Sequence, residues 1–131
     1  MTAIIRSSFA PSMSITLWAD ENNGYRVVTS SPAPERGGFM SSDEVETHVE
    51  EMLPEDAAEV VRLLTESRIA PSAESDIGLD GTTYELHVGP YGSGATYEWW
   101  STAPEEWRVL GEVVLMVMAY AGPDNQWVDL L

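Results

Sequence analysis

Both histidines stand near carboxylates, and an imidazole beside a carboxylate is raw material for metal binding and for general acid–base chemistry. On a helix, His48 would lie one turn from Glu44 and close to Glu51. That supplies one imidazole and two acids on a solvated surface, whereas a metal centre needs three or four converging ligands with supporting hydrogen bonds. A surface histidine among carboxylates is the simpler reading. On a strand, His87 and Glu85 would share a face, with Tyr97 on the following strand and Ser93 in the glycine-rich turn between. A serine nucleophile of the Gly-x-Ser-x-Gly type needs a strand-to-helix turn, and that context is missing, so Ser93 reads as a hairpin residue. The expectation is therefore no catalytic residue, no metal and no cofactor.

Other loops give weaker signals. The run from Asp76 through Asp80 to Gly81 begins like a calcium-binding loop, with glycine at its sixth position. Its third position is Gly78 and its twelfth is His87, where such a loop needs an oxygen ligand and a bidentate glutamate. A turn leading into a strand fits better. The stretch 89–94, rich in glycine, has no lysine and joins two strand-like runs, which is not the strand-to-helix setting of a phosphate loop. The chain contains no cysteine and no lysine, all six of its cations being arginine. Thiolate metal sites, disulfides, cysteine nucleophiles and Schiff-base or P-loop lysines are thereby excluded. Paired carboxylates suited to glycoside hydrolysis carry no weight in a chain with 22 acids.

The charge itself is the stronger signal. Of the 22 acids, 12 fall in residues 41–80 beside only Arg62 and Arg68, so this segment carries −10 of the net −16. Residues 1–40 are balanced. Such polarisation repels nucleic acid and anionic lipid and attracts a basic protein or a cation. Solvated glutamates also serve solubility, but a merely soluble surface mixes both signs. With 44% apolar residues and five tryptophans the acidity belongs to a folded body, and 131 residues suit one domain, 1–131. The longest apolar run, 113–121, is too short to span a bilayer, and the first residues do not read as a secretory leader, so a soluble, cytoplasmic protein is expected.

The elements that must position these groups follow from periodicity. Residues 14–19 and 25–29, around a turn at 20–24, read as one hairpin; 82–88 and 95–100, around 89–94, read as another. Ser41 and Glu44 form a capping box for a helix whose stripe is Val45, Val49 and Met52, turning Asp43, Glu46, Glu50 and Glu51 outward. Pro54 opens a second helix to about residue 67, with Ala57, Val60, Val61 and Leu64 inward and Glu55, Glu59, Arg62 and Glu66 outward. A third helix begins at the capping box Thr102–Glu105 and stops at Gly122–Pro123. It is apolar almost all round, so it must be covered by the sheet and the tail 127–131, or by a second copy in a homodimer. The expected fold is α+β, an antiparallel sheet from two hairpins against about three helices, ordered β-β-α-α-β-β-α.

Asp80-Gly-Thr-Thr-Tyr84, Trp99-Trp100 and Pro104-Glu-Glu-Trp107 with Leu110 resemble small acidic bacterial proteins of unassigned function and, more loosely, immunity proteins of polymorphic toxins. The resemblance covers about 30 residues and implies an antidote-like protein. Combined with the charge, it leads to a non-enzymatic binder that occludes a basic toxin, for example a nuclease. Its contact residues would be Asp43, Glu46, Glu50, Glu51, Glu55 and Glu59, with Trp18 and Trp100 as aromatic anchors. The alternatives are a DNA-mimicking inhibitor of a nucleic-acid-binding protein, a small ligand-binding or enzymatic domain around His87, and a self-assembling module built on the last helix.

Overall fold

The computed structural model describes residues 1–8, 11–22, 24–32, 45–74, 76–90 and 93–122. Six strands, β1 (Thr2–Ser7), β2 (Met13–Ala19), β3 (Tyr25–Pro32), β4 (Val45–Glu51), β5 (Thr82–Val88) and β6 (Ala95–Trp100), form one sheet in the order β4-β3-β2-β1-β5-β6. Every neighbouring pair is antiparallel. Two α-helices are described, α1 (Pro54–Glu66) and α2 (Arg108–Met118), the second entered through a 3-10 turn at Glu105–Trp107. The fold is α+β.

Both expected hairpins form, as β2–β3 and β5–β6. The turn between β2 and β3 is closed by Asp20, whose Oδ1 accepts hydrogen bonds from the amides of Asn22 (2.8 Å) and Gly24 (3.0 Å). These bonds favour the ionised carboxylate and hold Asp20 below the ordinary aspartate range, with Arg26 assisting.

Two elements differ from the sequence expectation. Residues 2–7, to which the sequence pattern assigns no element, form β1, a central strand. Ala3 and Ile5 are buried while Thr2, Ile4 and Arg6 face the other way; Ile4 masks the alternation in the sequence. The larger correction concerns residues 45–51, expected to be helical. They form β4, paired with β3 from Arg26↔Glu51 to Pro32↔Val45. A spacing of four, Val45 to Val49, satisfies a helix and a strand equally, because four is close to one helical turn and is also twice the strand repeat. Thr47 between them makes three alternate β-branched residues, which suits a pleat. The capping box at Ser41 and Glu44, with Asp43, lies outside the described residues, as does the tail 127–131.

The helices cover one face of the sheet. Ala3, Ile5, Met13, Ile15, Leu17, Val27, Leu86 and Trp99 come from that face and join Ala57, Val60 and Leu63 of α1 and Leu110, Val113, Val114, Val117 and Met118 of α2 in the core. The buried stripe of α1 is turned slightly from expectation, with Leu63 taking the place of Val61 and Leu64, which are half-buried. Pro54 stands in its first turn as expected, followed by Glu55 and Asp56, which complement the helix dipole. At α2 the capping box does not form. Pro104 precedes the 3-10 turn without a side-chain cap, and Trp107 instead donates its indole N–H to Ala70 O (2.9 Å) and packs edge-on against Tyr97 (5.3 Å between ring centres).

Sheet and α1 thus cover most of the apolar surface of α2, leaving Leu115 46% exposed. The opposite face of the sheet bears no helix among the described residues, a common state for antiparallel sheets. Leu110→Ala should cost about 2–5 kcal/mol in urea denaturation, whereas Leu115→Ala should stay within about 0.5 kcal/mol. Equal losses would contradict this orientation of α2.

Candidate functional site

Strand geometry redistributes the acids that a helix would have gathered. On β4, Glu46, His48 and Glu50 point to the helix-bearing side, since Glu50 is registered with buried Val27 and His48 with buried Thr29. Gly122, just past α2, confirms the side: a Cβ on it would come within 3.1 Å of the His48 ring. Val45, Thr47, Val49 and Glu51 point to the open side, Glu51 opposite Arg26. There is accordingly no common outer wall of two adjacent helices. The acids line a sheet edge and continue through the turn at Met52 and Leu53 into the start of α1.

Their electrostatic states differ. Glu59 is tied to Arg62 by two hydrogen bonds, of 2.8 and 2.5 Å, which hold its carboxyl below the ordinary glutamate range and raise the Arg62 guanidinium. Glu50 lies 3.4 Å from His48 Nε2. Glu46, Glu51 and Glu55 are exposed and have no ion-pair partner among the described residues. Asp56 accepts a short hydrogen bond from the Tyr120 hydroxyl, which itself accepts the Leu53 amide (3.2 Å), so the turn leading into α1 is braced from α2. Burial and the adjoining carboxylate raise the Tyr120 phenol. The candidate acid Asp43 lies outside the described residues.

The two aromatic anchors part company. Trp18, on the open face, is 60% exposed. Trp100 is only partly exposed, because the loop before β5 packs on its indole: a Cβ on Gly78 would stand 2.0 Å from the ring, and one on Gly81, at φ +150°, 2.7 Å. That contact accounts for the glycines of the calcium-like sequence. Among the described residues no three His, Asp or Glu side chains converge as a metal site would require.

His87 does share a face with Glu85, and its Nε2 lies 2.6 Å from Glu85 Oε1. An ionised carboxylate only accepts, so the imidazole N–H donates in this pair. The other ring nitrogen meets the Thr96 hydroxyl at 3.0 Å. Arg6, from β1, donates to Glu85 Oε2 at 2.6 Å and lies 3.9 Å from Glu98. Tyr97 is not part of the cluster, being packed under Trp107 on the opposite face. A cleft of about 490 Å³ lies elsewhere, lined by Tyr25, Met52, Ala57, Val61 and Arg62 among others, and neither histidine borders it. Arg6 and Thr96 were not singled out in the sequence. Finding Arg6 needed the pairing of β1 with β5, which joins residues 79 positions apart, and finding Thr96 needed the register of β6 on β5, which sets it opposite His87.

No protein-family model, curated protein or solved structure matches the chain.

Arg6 is the largest influence holding Glu85 below the ordinary glutamate value of 4.5, with the His87 hydrogen bond also lowering it. A carboxyl whose folded value is depressed contributes stability that is complete above its unfolded value and is lost as pH falls through the folded one. Arg6→Gln should therefore move the Glu85 midpoint upward in an NMR titration and weaken the loss of stability on acidification. An unchanged midpoint would contradict the pairing.

Proposed function

We propose that this protein is a non-enzymatic binder that occludes a basic protein, acting as an immunity protein against a basic toxin such as a nuclease. One observation carries the reading: exposed carboxylates at Glu46, Glu50, Glu51 and Glu55 follow one sheet edge into α1 without an arginine partner among the described residues. A nuclease must present lysines and arginines to hold phosphates, and this edge offers carboxylates for the same cations. Charge complementarity raises association rates by roughly 10–10³-fold and weakens with salt. Trp18 and exposed Val49 supply apolar contact beside Glu51 on the open side. At His87 the ring is held between Glu85 and Thr96, which supports a structural use of this histidine.

The test is affinity capture from source cells with elution by rising salt. Wild type should retain a basic protein, and lysine at Glu46, Glu50, Glu51 and Glu55 together should abolish retention. A charge-matched control with lysine at Glu21, Glu74, Glu105 and Glu106 should keep it. Equal behaviour of the two variants would reduce the effect to net charge and overturn the assignment of the edge.

A further inference from the structure

We infer that the outer edge of β4 receives an extended basic segment of the partner by strand addition, so that the partner chain becomes a seventh strand beside β4. This deepens the reading of the protein as a binder of basic proteins and rests on it. The topology supplies the opening: β4 is paired along its whole length with β3 on one side, and among the described residues no strand pairs with it on the other. Outward main-chain N–H and C=O groups of an edge strand are a template for another chain.

The side chains define the occupant. On the helix-bearing side, Glu46 and Glu50 flank His48; on the open side, Val45 and Val49 are 62% and 54% exposed. Charges alone would protect an edge against unwanted pairing. Two exposed valines on the same strand do the reverse and offer apolar sites two pleats apart. A second copy is a poor occupant. Antiparallel pairing of β4 with itself about His48 would set Glu46 directly against Glu50 of the other copy, and like charges directly opposite are destabilising. The complementary strand alternates arginine or lysine with valine or isoleucine, cations meeting Glu46 and Glu50 and apolar groups meeting Val45 and Val49. Such a segment is amphipathic in the period of a strand, so one register is preferred.

The probe is a capped heptapeptide alternating arginine and valine, added to the isotope-labelled full chain at low salt. Shifts and slowed exchange concentrated at the amides of residues 45–51 are expected. Methylating the peptide's amide nitrogens along one edge removes donors while keeping charge, and should weaken binding about tenfold or more for the edge that faces β4. Glu46→Lys with Glu50→Lys should abolish binding and create binding of the matching glutamate–valine peptide. Shifts confined to the Trp18 face, insensitivity to methylation of either edge, or no shift at millimolar peptide would each overturn strand addition. A failure there leaves salt-eluted capture unaffected, so loss of this mode and loss of the basic-partner reading are separately visible.

Discussion

Antiparallel pairing of β1 with β2 on one side and β5 on the other is the interaction on which the remaining structure depends. Each hairpin alone would be a marginal two-stranded ribbon with one apolar face. Ala3 is registered with Ile15 and Leu86, and Ile5 with Met13 and Tyr84, so β1 makes one continuous apolar face for α1 and α2 to cover. A slip of one residue would turn Arg6 into that core and Ala3 and Ile5 out of it. The charge of Arg6 therefore helps specify the register, besides linking β1 to Glu85 through a salt bridge.

From that arrangement follows a sorting of charge. The open face mixes signs, with Arg6, Arg26 and His87 alternating across the strands with Glu51, Glu85 and Glu98. The β4 edge and the turn into α1 carry acids that the arginines leave alone. Exposed ion pairs contribute little to stability, so carboxylates at this edge exchange solvent or a local partner for an incoming cation at small cost. The face of mixed charge and the acidic edge are different kinds of surface, and only the second has a directional template of backbone hydrogen bonds.

The parts of the fold visible in the sequence were those set by local chemistry. Asp20 to Gly24 marked the β2–β3 turn, alternation marked β5 and β6, and Pro54 marked α1, because each is decided within a few residues. β4 is ambiguous in the sequence because Val45 and Val49 fit both periods, and what decides between them is the vacant side of β3. β1 is hidden for a similar reason: its alternation is blurred by Ile4, and one of its two partners, β5, lies far along the chain. The candidate acids Glu46, Glu50, Glu51 and Glu55 were legible as a charged run. The division of Glu46 and Glu50 from Glu51 between two faces of an edge strand was not, since a helix and a strand send the same residues in different directions. Nothing local in the sequence marks Trp100 as covered, because its cover is the loop of Gly78 and Gly81, about 20 residues away.

Strand addition at β4 is the proposed mode of binding. Amide hydrogen exchange of the full chain, alone and bound to the basic protein recovered by salt elution, tests it most directly. Strong new protection along residues 45–51, with little change on β6 at the far edge, is the predicted result. Protection appearing on β6 or across Thr16, Thr2 and Thr96 of the open face, with β4 unchanged, would contradict it.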